Sequence, residues 1–240
     1  MPDRRAELAA GLDQVRTRIA RACAAAGRAP GEVTLVAVTK TYPASDVLQL
    51  AALGVRDVGE NRDQEAAPKA AEVAGAGVEV RWHFVGQLQR NKCRSVAGYA
   101  SLVHSVDGVR LAGALARAAA ARDAPLDVLV QVSIDGDPLR GGALTESGAD
   151  RDRQLPRVAE TIAGADSLRL RGVMAVAPLT WPPRRAFERL AAVAAQLRVR
   201  YPTADLVSAG MSGDLEDAVA CGATHVRVGS ALLGKRAPLG

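Results

Sequence analysis

The chain has 240 residues, 48% of them hydrophobic but only 3% aromatic, so it can bury a large core made of Val, Leu, Ile and Ala. Its formal charge is +5, yet the arginines are scattered among acidic partners and no dense basic block alternates with aromatics, which argues against nucleic-acid binding. Three cysteines without paired spacing, no signal peptide and no long apolar span argue against a secreted or membrane protein and for reduced thiols in the cytoplasm.

Between Asp3 and about Ala26, Leu8, Leu12, Val15 and Ile19 recur at helical spacing, and Gly27 and Pro30 end the pattern. An alternation then begins. Strands are predicted over Val33–Val38, Arg56–Gly59, Trp82–Val85, Leu102–Ser105, Asp127–Ser133, Arg169–Met174, Leu206–Ala209 and His225–Val228. Helices are predicted over Ala44–Leu53, Asn61–Val73, Gln89–Ala97, Val109–Arg122, Arg151–Ala163, Arg184–Arg200 and Leu215–Cys221, with a short apolar turn over Ala231–Leu233. This order requires an α/β fold, a single (β/α)8 TIM barrel with an extra N-terminal helix, as one domain over residues 1–240. A doubly wound open sheet is the alternative; no Gly-x-Gly-x-x-Gly follows the first strand, which counts against a dinucleotide site. The long connection from Asp135 to Asp150, on the carboxyl side of the barrel, is a candidate lid.

Lys40 closes the run Val33-Thr34-Leu35-Val36-Ala37-Val38-Thr39-Lys40, in which nearly every neighbour is apolar or β-branched. Ligands of α/β folds bind outside the carboxyl edge of the sheet, where this amine is expected. Partial burial there would favour the neutral amine that condenses with an aldehyde; a side chain that snorkels into solvent is the other reading of Lys40 alone. Two Gly/Ser turns complete the pattern: Leu206-Val207-Ser208-Ala209-Gly210-Met211-Ser212-Gly213-Asp214 and His225-Val226-Arg227-Val228-Gly229-Ser230-Ala231. Small residues let backbone N–H groups approach an anion, and the loops after strands seven and eight are the usual phosphate cradle of such barrels. Barrel closure sets strand eight beside strand one, bringing amine and cradle together. His83, His104 and His225 lie far apart in sequence without metal-ligand spacing, so no metal site is expected; His83 and His104 read as satisfied core histidines.

Taken together these stretches resemble the pyridoxal phosphate homeostasis protein family, whose barrel is similar to the N-terminal domain of alanine racemase. The matching segments are Leu35-Val36-Ala37-Val38-Thr39-Lys40-Thr41, Gly59-Glu60-Asn61-Arg62-Asp63-Gln64-Glu65, Trp82 to Lys92, His104-Ser105-Val106-Asp107, Gly172-Val173-Met174-Ala175, Ser208 to Asp214 and Val226-Arg227-Val228-Gly229-Ser230. The resemblance implies a pyridoxal 5'-phosphate (PLP) cofactor joined to Lys40 as a Schiff base, with Ser208, Gly229 and Ser230 holding its phosphate. It also implies that Arg227 faces the pyridine nitrogen and keeps it unprotonated, that Asn61 is a polar contact beside the ring, and that Met211 packs on the cofactor. The family's loop after strand five often carries Lys-x-Gly, where this chain has Arg140-Gly141-Gly142, and Ser230 stands where threonine is frequent.

A racemase needs two bases on opposite faces of the substrate carbon. In alanine racemases the second is a tyrosine from a C-terminal β-domain, for which the residues after strand eight leave no room, and only Tyr42 lies close to Lys40 in sequence. The expected function is therefore non-enzymatic: a monomeric, cytoplasmic carrier in vitamin B6 homeostasis that holds PLP and delivers it to PLP-dependent apoenzymes, with no nucleic-acid or membrane partner. A PLP-dependent amino-acid racemase is the first alternative, and a basic nucleic-acid- or partner-binding module the second.

Overall fold

A computed structural model of the chain describes residues 3–137, 140–145 and 150–234. Eight parallel strands form its centre: β1 (Thr34–Val38), β2 (Asp57–Glu60), β3 (Arg81–Phe84), β4 (Ala100–Val106), β5 (Leu126–Gln131), β6 (Leu168–Met174), β7 (Leu206–Ser208) and β8 (His225–Val228). They pair in sequence order into a closed barrel, with Val36 of β1 opposite Arg227 of β8, which excludes the open-sheet alternative. Nine helices accompany them among the described residues: α1 (Arg4–Ala25), α2 (Ala44–Ala52), α3 (Asp63–Gly75), α4 (Cys93–Tyr99), α5 (Val109–Ala119), α6 (Leu155–Ala163), α7 (Pro183–Arg200), α8 (Leu215–Ala220) and α9 (Ser230–Leu233).

Strand parity divides the core. Side chains such as Val103, Val128, Val130, Val173 and Val207 face outward and pack against the helices. The inward set splits in two. Leu102, Leu129 and Met174, with Leu206 against them, form a small apolar cluster, whereas Asp57, His83, His104, Ser208 and Arg227 are buried polar groups. Helix α1 lies outside the eightfold repeat. Asp3 caps it by accepting from the Arg5 N–H, and its stripe Leu8, Leu12, Val15 and Ile19 is buried with Leu215, Val219 and Leu232. Its approach to α9 is close: a Cβ at Gly11 would stand 2.3 Å from the Leu232 carbonyl oxygen.

Three sequence expectations need correction. The helix predicted from Arg151 starts at Leu155, because Gln154 pairs in extended conformation with Leu144, and Pro156 suits the first helical turn that follows. The expected lid is tied down over its central part: Ala143 bridges Val132, and Arg153 donates to the Gly142 and Arg140 carbonyls. Positions 138–139 and 146–149 of that connection lie outside the described residues. The helix predicted from Gln89 is a 3-10 turn over Arg90–Lys92 that runs into α4.

Candidate functional site

Lys40, Met211, Ser212 and Ser230 gather at the carboxyl end of the barrel. β1 stops at Val38, and Thr39 is fully buried. The chain then turns sharply, with Thr41 at φ 67° and its N–H donated to Glu65 Oε2 at 2.9 Å. This turn lifts Lys40 off the sheet and leaves it exposed, so the partial burial expected from sequence is absent. The turn after β8 comes close to the same place: a Cβ at Gly229 would lie 3.2 Å from the Val38 carbonyl oxygen, a tight contact that glycine avoids. Ser230, the next residue, is exposed at the start of α9.

The two serines of the β7 turn behave differently. Ser208 still belongs to the strand; it is completely buried, and its hydroxyl is taken up inside the barrel by Arg227 and His104. A phosphate-holding role does not suit it. Ser212, four residues on, stands at the mouth, with its Oγ 3.3 Å from Ser230 Oγ and accepting from the Ala231 N–H at 3.3 Å. Ser212 lies within the Ser208-to-Asp214 motif but is not among the residues expected at the site; its position beyond the strand end, where side chains leave the barrel wall, is the signal that marks it. Met211 is 39% exposed on this turn, so ordinary core packing does not account for it.

Behind the mouth, Arg227 is only 5% exposed. It donates from Nη1 to Ser208 Oγ at 2.6 Å and from Nη2 to the Ala175 carbonyl at 2.9 Å, both neutral acceptors. Burial outweighs the attraction of the Asp214 carboxylate and brings its guanidinium down to about 10. The polar contacts continue inward: His104 Nδ1 is 2.9 Å from Ser208 Oγ, His104 Nε2 is 2.9 Å from His83 Nδ1, and His83 Nε2 is 2.9 Å from Asp57 Oδ1. Burial works to raise Asp57, but hydrogen bonds from His83 and Arg81 hold it down at about 2. Burial first, then the neighbouring His83, Arg227 and His225, keep His104 far below the ordinary histidine range. The three histidines thus converge despite their sequence separation, with ring centroids 5.1–6.3 Å apart. Among the described residues no metal-binding group of three or more His, Cys, Asp or Glu side chains forms.

Asn61 follows β2, and its Oδ1 is buried without a hydrogen-bond partner, an acceptor ready for a ligand. It lines a cleft of about 460 Å³ together with Gln87, Gln89 and Lys92. A second cleft of about 770 Å³ is lined by Met211, Asp214, Trp181 and Arg140, the last paired with Asp135 at 2.8 Å. A larger recess of about 1220 Å³ on the flank of α2 and α3 contains none of these residues. Beneath the Lys40 turn, Lys69 donates to Glu60 Oε1 and to the Thr39 carbonyl, a buried ion pair that sequence reading did not find. Tyr42, the residue nearest Lys40 that could serve as a second base, donates its hydroxyl to the Gly234 carbonyl at 2.8 Å.

Comparisons with known proteins bear on the family and the fold. The profile of the alanine racemase N-terminal domain family matches residues 11–237. A pyridoxal phosphate homeostasis protein of Mycobacterium leprae is 47% identical, over 97% of this chain and 94% of its own length; one of Escherichia coli K12 is 38% identical, over 96% and 97%. The solved structure of PipY from Synechococcus elongatus, with PLP bound, superposes with a TM-score of 0.78 at 33% identity, covering 95% of this chain and all of that one. By fold, profile match and identity along nearly its whole length, the chain belongs to the pyridoxal phosphate homeostasis protein family, on the alanine racemase N-terminal domain barrel.

Proposed function

We propose that this protein binds PLP at the carboxyl mouth of the barrel and takes part in vitamin B6 homeostasis, holding the cofactor reversibly and passing it to apoenzymes. The observation that carries the reading is the approach of Gly229 to the Val38 carbonyl, which brings the β8 turn beside the strand that leads to Lys40. The cofactor supplies an aldehyde and a phosphate. Lys40 would hold the cofactor through its amine, a nucleophile suited to that aldehyde. Ser212, Ser230 and the backbone at Gly229 form the phosphate cradle, with Ser212 taking the part first expected of Ser208. Arg227, a buried cation with neutral hydrogen-bond partners, would meet the pyridine nitrogen as a donor and disfavour its protonation, which would limit electron withdrawal by the ring and suits a carrier better than a catalyst. The orphan Oδ1 of Asn61 supports a polar contact beside the ring, and Met211 covers the exposed side of the mouth.

The names of the relatives and the PLP bound to PipY support this reading. A cytoplasmic site of action accords with three free cysteines. No described helix is long and apolar enough to cross a membrane.

The test is an absorption spectrum of protein mixed with PLP, before and after borohydride, followed by peptide mapping. A visible band that borohydride bleaches, with the reduced adduct on Lys40 and no band in Lys40→Ala, is the expected result. An adduct on Lys69 or Lys92 would show that the wrong amine was chosen, and a protein that stays colourless would end the reading.

A further inference from the structure

The buried polar chain through the barrel has a direction, and its two ends determine it. Arg227 offers only N–H donors, while ionised Asp57 offers only acceptor oxygens. Four hydrogen bonds link them: Arg227 Nη1 to Ser208 Oγ at 2.6 Å, then three contacts of 2.9 Å each, Ser208 Oγ with His104 Nδ1, His104 Nε2 with His83 Nδ1, and His83 Nε2 with Asp57 Oδ1. With both rings neutral, a single assignment gives every contact one proton. Arg227 donates to Ser208, Ser208 donates to bare Nδ1 of His104, His104 donates from Nε2 to bare Nδ1 of His83, and His83 donates from Nε2 to Asp57.

The reverse order fails on chemistry. A proton on His104 Nδ1 would require His83 to donate from Nδ1, setting its bare Nε2 against the Asp57 carboxylate. Only an additional proton, making His83 a cation, would relieve that contact. Ser208 would then receive two donors, Arg227 and His104, and its own proton would lose the acceptor it has now. Complete burial of His104 beside Arg227 also opposes further positive charge. Arg81 closes the far end with two bonds to Asp57, at 2.6 and 2.7 Å. His225 stands beside the chain but outside it, its Nδ1 2.9 Å from Thr224 Oγ1.

We propose that Ser208, His104 and His83 are positioning residues: a one-way chain anchored on Asp57 that holds the Arg227 guanidinium in one orientation and leaves its other N–H groups for a ligand. The proposal deepens the cofactor reading and rests on it for what Arg227 faces, but the chain itself belongs to the protein alone.

The first measurement therefore needs no ligand. In protein carrying ¹⁵N-labelled histidine, long-range ¹H–¹⁵N spectra at neutral pH are expected to show His83 and His104 neutral, each with its proton on Nε2. A cationic His83, or a proton on Nδ1 of either ring, would overturn the proposal and leave the cofactor reading standing. The second measurement titrates PLP into wild-type, His104→Leu and His104→Gln proteins. Leucine breaks the chain; glutamine can still accept from Ser208 and donate to His83. Retention is expected to weaken about five- to tenfold in His104→Leu, with a shifted visible band, and both are expected to return towards wild type in His104→Gln. Equal affinity and an unmoved band in all three would overturn the positioning role. If His104→Leu does not fold, the tautomers in the wild-type protein decide the matter. Wild-type protein that takes up no PLP, with the tautomers as expected, would instead defeat the cofactor reading and the role of the chain in serving it.

Discussion

Two serines of one turn, four positions apart, have opposite fates because a strand ends between them. Ser208 is within β7 and points into the barrel; Ser212 is past the strand and meets Ser230 at the mouth. Replacing either mouth serine, as Ser212→Ala or Ser230→Ala, is expected to weaken PLP retention by about 1–2 kcal/mol, the scale of one hydrogen bond to a charged group. Stopped-flow release of the cofactor measures this, and an unchanged rate would remove that hydroxyl from the cradle. The positions of Lys40, Arg227, Gly229 and Ser230 at or just beyond strand ends were legible in the sequence because each ends or follows a strand of clear apolar pattern. The burial of Ser208 was not, because the same pattern does not say on which side of a strand end a hydroxyl falls. The exposure of Lys40 was hidden for a related reason: the left-handed turn at Thr41 has no glycine to announce it.

At the level of elements, the eight strands fall within a few residues of their predicted spans, since β-branched runs between helical repeats leave little freedom. The irregularities are what sequence could not supply. In β6 the pairing slips by one residue, so that Leu170 faces Val128 but Gly172 faces Leu129. Gly172 adopts φ 143°, and a Cβ there would stand 1.9 Å from the Leu206 carbonyl oxygen. Gly172→Ala is therefore expected to destabilise the fold by about 3 kcal/mol or more, through both the backbone conformation and the clash with β7. Denaturant unfolding would detect it; a loss below about 0.5 kcal/mol would mean that β7 moves freely away. Helix α6 was misread at its start because Arg151–Arg153 carry no breaker, while the contact that holds them out of the helix, Leu144 with Gln154, is made across the preceding loop.

For the whole molecule, a barrel interior lined by histidines makes stability depend on pH. Burial, followed by His83, holds His225 at about 4 against an ordinary 6.5, and His104 is lowered as well. Between about 4 and 6.5 the unfolded chain binds more protons at His225 than the folded one, so stability falls as pH drops through that window, and the lowering of His104 acts in the same direction. The expected loss between pH 7 and pH 5 from His225 is about 1–2 kcal/mol, read from denaturant unfolding at the two pH values. A flat profile would mean that the rings charge without cost. Asp57 adds a separate loss at lower pH: its contribution is complete above 3.8 and disappears as pH falls towards 2. The burial of His83 and His104 was legible along the chain, but their connection was not. His83 and His104 are 21 residues apart and meet through the pairing of β3 with β4, whereas His104 and Ser208 are 104 apart and meet only across the closed barrel. The same closure gives α1 its importance. Arg18 on that helix donates to the Ser212 carbonyl, a partner 194 positions later, and Arg4 donates to the carbonyl of Leu233. During synthesis, α1 thus emerges long before the segments its arginines grip, and the mouth proposed to take the cofactor is braced only once β7 and β8 have been made.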